Sequence, residues 1–156
     1  MERKTKIISV VIILLIFSGF LSYQYVIDTA ALNNVEVTVE SITLQELHLS
    51  YCKLKLSVNI YNPSHQDISE VSAVFNVFIA GNYVGSGSFP KSFLSAQSNS
   101  KKDVSLTIYY VDMASAVING IQNGNFDLTI EGNAKGTVFF NLFTVSKGFV
   151  STYSYP

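Results

Sequence analysis

Along much of this chain, apolar and polar residues alternate one for one. Cys52, Leu54, Leu56, Val58 and Ile60 fall at every second position, with Lys53, Lys55, Ser57 and Asn59 between them. That is the period of a strand with one buried face. The run stops at Asn62-Pro63, because Pro63 has no N–H for a ladder and holds the residue before it extended, while the Asn62 amide can bond nearby backbone in a turn. The same period appears at Val35, Val37 and Val39, then slips phase before Ile42, Leu44, Leu47 and Leu49, which predicts two strands or one bulged strand. It returns at Val71 to Ile79, at Val104 to Tyr110, and at Phe126, Leu128 and Ile130.

The punctuation between these runs predicts their ends. Gly81-Asn82 suits the positive backbone angles of a tight hairpin, and the return strand runs from Tyr83 to Pro90. Gly85 and Gly87 put two positions without side chains on one face of it. A bulge or a bulky neighbour filling the space is preferred to the close approach of a ligand, since no strand-then-helix phosphate loop surrounds them. Residues 95–103 read as a polar loop, with Lys101-Lys102 as a solvated edge. Gly132-Asn133 closes a strand, and residues 135–145 form a last apolar run. The crowding of Phe139, Phe140, Leu142 and Phe143 there points to burial on more than one side, in preference to an exposed aromatic patch. Residues 146–148 then turn into an edge strand over 149–153. A single short helix is predicted over 113–122, capped by Asp112 and stopped by Gly124, with Met113, Val117, Ile118 and Ile121 on its apolar face.

The amino end departs from this pattern. Residues 7–27 contain no charge and are dominated by Ile, Val, Leu and Phe. At ~1.5 Å per residue they span about 30 Å, the thickness of a bilayer's hydrocarbon core, and their apolar side chains favour insertion by about 4 kcal/mol. A signal peptide has a shorter apolar region and a small-x-small exit, for which Thr29-Ala30-Ala31 is a weak match, and a buried core helix rarely runs this long without polar relief. A retained transmembrane helix is therefore expected over 7–27, after a basic cytoplasmic tail (1–6) and before a linker (28–32) and a folded domain (33–156). Arg3, Lys4 and Lys6, with Asp28 first after the span, place the tail in the cytoplasm and the domain outside the cell. Tyr23 and Tyr25 suit the outer interface.

Charge and chemistry narrow the function by exclusion. The chain carries −1 overall, with +2 before residue 28 and −3 from Asp28 onward, so the domain offers no basic stripe for nucleic acid. One cysteine closes no intrachain disulfide, and Cys52 shares parity with Leu54, so a buried, inert thiol is expected. His48 reads as an outward strand residue and His65 as a loop residue; neither has Cys or carboxylates at zinc-ligand spacing. No hydrolase elbow, zinc protease helix, phosphate loop or dinucleotide fingerprint occurs, and Asp127 and Glu131, in a strand and its closing turn, make no acid and base pair.

Regularly spaced strands with one late helix predict a mainly β fold, a two-sheet antiparallel sandwich. At this level the chain resembles the group 2 late-embryogenesis-abundant (LEA) domain, also called the water-stress and hypersensitive-response (WHy) domain, over roughly residues 33–150. The features shared are a strand ending in Asn62-Pro63, a hairpin into Val84-Gly85-Ser86-Gly87, Leu94-Ser95-Ala96, an alternating strand, a short helix and a glycine-containing strand pair. Ser64 stands where the family commonly has a second Asn, and Phe143-Thr144-Val145 only loosely replaces its Ile-Pro-Phe turn. The resemblance implies an immunoglobulin-like or fibronectin-III-like sandwich, a link to desiccation or other stress, no catalytic residues and no cofactor; no metal is expected from the histidine spacing, and Asn62, Pro63, Gly85 and Gly87 carry the family motif as structural positions. The expected function is a non-catalytic, membrane-anchored sandwich that touches lipid through its helix and envelope or surface proteins through its domain, with no nucleic-acid or small-molecule partner. The alternative is a structural subunit of a surface filament or membrane complex assembling through edge strands, and an enzyme is the weakest reading.

Overall fold

The computed structural model describes residues 2–138 and 141–155, without the side chains of residues 2–6, 112 and 138. A long helix, α1 (Glu2–Asn33), leads into seven strands: β1 (Glu36–Leu47), β2 (Tyr51–Asn62), β3 (Ile68–Ile79), β4 (Asn82–Leu94), β5 (Ser98–Tyr109), β6 (Phe126–Val138) and β7 (Phe143–Tyr155). A second helix, α2 (Ser115–Asn123), follows a 3-10 turn (Tyr110–Asp112) between β5 and β6. The strands form two antiparallel sheets, β1-β2-β5 and β4-β3-β6-β7. The fold is therefore the expected sandwich behind a long apolar helix.

β2 sits at the centre of the three-stranded sheet, and every second residue from Cys52 to Asn62 is buried, as the alternation requires. Facing it from the other sheet are Val71, Ala73, Phe75, Val77 and Ile79 of β3 with Leu128 and Ile130 of β6. The phase slip of β1 is resolved as a single strand with irregularities after Val39 and Leu44. A bulge shifts strand parity by one residue, so the strand remains paired while its inward set changes.

Several boundaries differ from the sequence reading. Residues 28–32 are not a linker but the end of α1. Good helix formers (Ala30, Ala31, Leu32) and an i,i+4 bond from Gln24 to Asp28 (2.9 Å) carry the helix on, and Ala31 and Leu32 are buried in the sandwich. A Cβ on Gly136 would lie 2.8 Å from Leu32 Cδ1, so this glycine makes the seat for the helix end. The β3–β4 turn is Ala80-Gly81, one residue earlier than expected: both have positive φ, and Ile79 pairs with Asn82. β4 does not end at Pro90, because β4 is an edge strand and the pairing skips from Phe89 to Ser92, leaving Pro90 in a bulge with no ladder bond to give. Residues 98–103 are strand, not loop; their backbone pairs with residues 57–62 of β2, and an edge position tolerates their polarity.

Gly132-Asn133 and residues 146–148 likewise interrupt nothing, and Glu131 is a strand residue; β6 and β7 pair without a break from Phe126↔Tyr155 to Val138↔Phe143. A Cβ on Gly132 would lie 2.6 Å from Phe75 Cβ and closer still to the Val74 carbonyl oxygen, so the glycine marks a close strand approach. The expected apolar run over 135–145 is in fact a hairpin, and the large side chains described near its tip are not buried: Leu142 is 69% and Phe143 51% exposed. Phe139 and Phe140 lie outside the described residues. α2 starts later than predicted, with Ala114 at the cap position and no side-chain cap, so Asp112 does not cap it. It ends as predicted on left-handed Gly124 (φ 63°) and buries Val117 and Ile121.

Candidate functional site

The two halves of the sequence motif serve different parts of the fold, and the structure does not bring them into one site. Asn62 ends β2 where the chain crosses to the second sheet, and its side chain is fully buried. Its amide donates to the carbonyls of Gln66 (2.7 Å) and Ser95 (3.0 Å), and its oxygen accepts from the Ser64 backbone N–H (3.1 Å) and hydroxyl (2.7 Å). Gln66 belongs to the β2–β3 crossover and Ser95 to the β4–β5 crossover. One side chain thus ties both passages between sheets, helped by the Gln97 N–H on the Ser64 carbonyl (3.0 Å) and the Ala96 N–H on Asp67 Oδ1 (2.8 Å). Pro63 shapes the exit, and Ser64 takes part directly in the network. A satisfied buried amide of this kind fixes one arrangement of the loops around it.

Gly85 and Gly87 lie on β4, facing β5 and β3. A Cβ on Gly85 would lie 2.5 Å from Leu106 Cδ1, and one on Gly87 would lie 2.6 Å from Phe75 Cε2 and 3.0 Å from Val104 Cγ1. Bulky neighbours fill both places.

The remaining chemistry-bearing residues stay apart. Cys52 is buried, and burial pushes its thiol pKa up. Beside it the Tyr110 hydroxyl is buried with no oxygen or nitrogen partner among the described residues; desolvation first, then the Cys52 thiol, pushes it up to about 12. Sign follows from linkage: the folded state holds this proton more tightly, so stability is intact below the ordinary value of 10.0 and is lost as pH rises through about 12. Urea midpoints of the intact protein are expected to fall on going from neutral to strongly alkaline pH, and less steeply in Tyr110→Phe. Equal slopes in the two proteins would refute this.

His48 ends up in the β1–β2 turn, not in a strand, stacked on Tyr51 at 4.5 Å and 3.5 Å from Glu46. Lys53 lies 2.8 Å from Glu46 and holds its carboxyl below the usual 4.5. His65 is exposed in the β2–β3 crossover. Asp127 accepts from the Ser154 hydroxyl (2.6 Å), and Glu131 stands four residues further along the same face of β6, a rise of about 13 Å that is too long for a paired acid and base. Among the described residues no three His, Cys, Asp or Glu side chains gather to hold a metal.

Two surfaces remain. One is an open depression of about 760 Å³ on the outer face of the four-stranded sheet, where Gly148 leaves room between Asn76, Glu131, Asn133, Lys135 and Val150. Its amides and opposite charges could recognise a polar partner but form no reactive set. The other lies at the helix exit, where Phe143 packs edge-on against Tyr25 of α1 (centroids 5.9 Å apart) beside Leu21, Ser22 and Val26. Sequence reading missed this hairpin. Asn141, which takes a left-handed conformation (φ 63°) in the middle of the apolar run, was the available signal.

No family model matches this sequence, and no curated protein does. Among solved structures, the solution structure of AT1g01470 from Arabidopsis thaliana matches with a TM-score of 0.55 and 18% identity over 78% of this chain and 82% of the other. The likeness is one of fold. The solution structure of At2g46140.1, assigned to the late embryogenesis abundant class, matches with a TM-score of 0.49 and 17% identity over 99% of this chain and 87% of the other. A protein from Archaeoglobus fulgidus matches with a TM-score of 0.42 and 11% identity over 78% of this chain and 96% of that one.

The free sheet edges bear on how the sandwich meets other molecules. The β1 edge is engaged by β7, through Ser151 Oγ on the Val39 N–H (3.2 Å) and Lys147 Nζ on the Val35 carbonyl (2.8 Å). β4 carries the Pro90 bulge, and β5 carries Lys101, which bridges to Glu40. Engaged, bulged and charged edges resist strand addition.

Proposed function

We propose that this chain is a non-catalytic, membrane-anchored β-sandwich of the LEA group 2 (WHy) type, held on the extracytoplasmic side of the membrane and protecting or binding envelope proteins under osmotic or drying stress. The observation that carries the reading is the way α1 joins the domain. The segment Ile7–Asn33 is long enough to cross a bilayer and has a mean hydropathy of 2.2 over its most apolar window, none of it buried, yet its last turn contributes Ala31 and Leu32 to the core. Cleavage near Thr29-Ala30-Ala31 would cut inside a helix that the fold uses, so a retained anchor suits this chain better than a removed leader. Arg3, Lys4 and Lys6 on one side of the span and Asp28 on the other favour a cytoplasmic tail. A tether without a flexible joint would hold the domain at a set height over the bilayer, where it meets neighbouring proteins or cell-wall material.

Protease added to intact cells is expected to remove the domain and leave a short membrane-bound fragment. Protection in intact cells and digestion only after they are opened would overturn the orientation. Cells lacking the chain are expected to survive drying and salt shock less well; unchanged survival and envelope integrity would remove the stress role.

A further inference from the structure

The β6–β7 hairpin, the helix exit and two lysines share one end of the sandwich. Seated by Leu32 on Gly136, α1 leaves the domain beside this hairpin. The hairpin points back along the helix, so that Phe143 touches Tyr25, eight residues before the helix end. At 1.5 Å per residue that contact lies about 12 Å below the end of α1 and about 27 Å from Ile7, which is the outer boundary of a hydrocarbon core that begins at Ile7.

The chemistry of the hairpin matches that depth. No charged residue occurs between Lys135 and Lys147, and Leu142 and Phe143 are 69% and 51% exposed at the tip. An apolar tip on a soluble surface would be costly, whereas an aromatic ring beside Tyr25 suits the boundary between headgroups and acyl chains. Lys147 sits at the helix exit on the Val35 carbonyl, and Lys135, next along from its ladder partner Ala134, projects from the opposite, outer face of the sheet.

We propose that the β6–β7 tip is a second membrane contact, a short apolar wedge that enters the outer leaflet beside α1 and fixes the tilt of the sandwich on the bilayer. The notch of about 530 Å³ between Phe143 and Leu21, Ser22, Tyr25 and Val26 is then filled by the upper part of a lipid acyl chain. The inference rests on the membrane reading above and adds to it that lipid is met at two points instead of one. Two contacts restrict rotation about the helix axis, so one sheet face is always presented outward.

The chain has no tryptophan, so a single introduced indole reports its own depth. The full-length protein carrying Leu142→Trp, Val74→Trp or Ile13→Trp would be reconstituted in phosphatidylcholine–phosphatidylglycerol vesicles with bromines placed high or low on the acyl chains. Val74 is exposed on the outer sheet face, and Ile13 lies within the span, about 9 Å in from Ile7. Leu142→Trp is expected to emit to the blue of Val74→Trp, to be quenched by the shallow bromines, and to be several-fold less sensitive to aqueous iodide. Ile13→Trp is quenched by the deep bromines. If Ile13→Trp behaves so but Leu142→Trp is as open to iodide as Val74→Trp, the wedge is overturned and the anchor stands; if Ile13→Trp is also open to iodide, both fall. Should Leu142→Trp lose the sandwich's circular dichroism, Phe143→Trp replaces it with the same expected readings.

Discussion

Asn62→Ala is expected to lower the unfolding free energy of the intact protein by about 2–3 kcal/mol, the upper part of the range for removing one buried, fully hydrogen-bonded polar group. The variant removes one donor from each of the carbonyls of Gln66 and Ser95, which keep the Ser64 hydroxyl (3.1 Å) and the Ser98 hydroxyl (2.7 Å), and it leaves the Ser64 N–H without its acceptor. Those second donors keep the figure below the sum of four separate penalties. Asn62→Asp is the sharper variant. It keeps the acceptor but sets a carboxylate against two carbonyl oxygens, which raises its folded pKa above the unfolded value. Its stability is therefore present at acid pH and is lost as pH rises through that raised value. Urea unfolding followed by tyrosine circular dichroism would measure both, and a midpoint for Asn62→Ala within error of the parent would show that the two crossovers do not depend on this amide.

Gly132→Ala follows, with an expected loss at or above the roughly 3 kcal/mol upper end of ordinary overpacking. Its Cβ would run into the Val74 carbonyl and lie 2.7 Å from Phe75 Cα, and backbone in the middle of two ladders has nowhere to go. Gly87→Ala differs in kind, because it meets the far end of the Phe75 ring and Val104 Cγ1, which are side-chain atoms. A shorter residue at position 75 should therefore relieve Gly87→Ala and leave Gly132→Ala unchanged. In double-mutant cycles with Phe75→Leu, coupling of about 1 kcal/mol or more is expected for Gly87 and none beyond error for Gly132. Equal coupling for both glycines would mean that the β3–β6 spacing yields as easily as the Phe75 ring.

These two predictions rest on residues whose roles differ in how far they could be read from the sequence. Asn62-Pro63 as the end of a strand was legible, since proline chemistry and the alternation before it are local. The reason for an asparagine there was not, because one of its partners, Ser95, lies 33 residues away. Gly132 and Gly148 were read as turns, since glycine ends a strand as readily as it permits a close approach, and only the partner strand tells which. The polar stretch after Ser98 was read as loop for the same reason: backbone pairing with β2 overrides composition at an edge. The helix over 28–32 was missed because its anchor, the pocket made by Gly136 and Ile68 for Leu32, comes from far along the chain.

What the sequence determined by itself is the parity of the strands, the long apolar helix and hence the layered fold, because a strand period and a charge-free span are carried by neighbouring residues and need no partner to be recognised. What the tertiary structure alone decided is which apolar positions stay outside. Leu142 and Phe143 have the composition of a core, but the β6–β7 pairing places them at a hairpin tip beside Tyr25. Hydrophobicity sets the drive to leave water, and the geometry of distant pairings sets whether protein or something else receives the side chain.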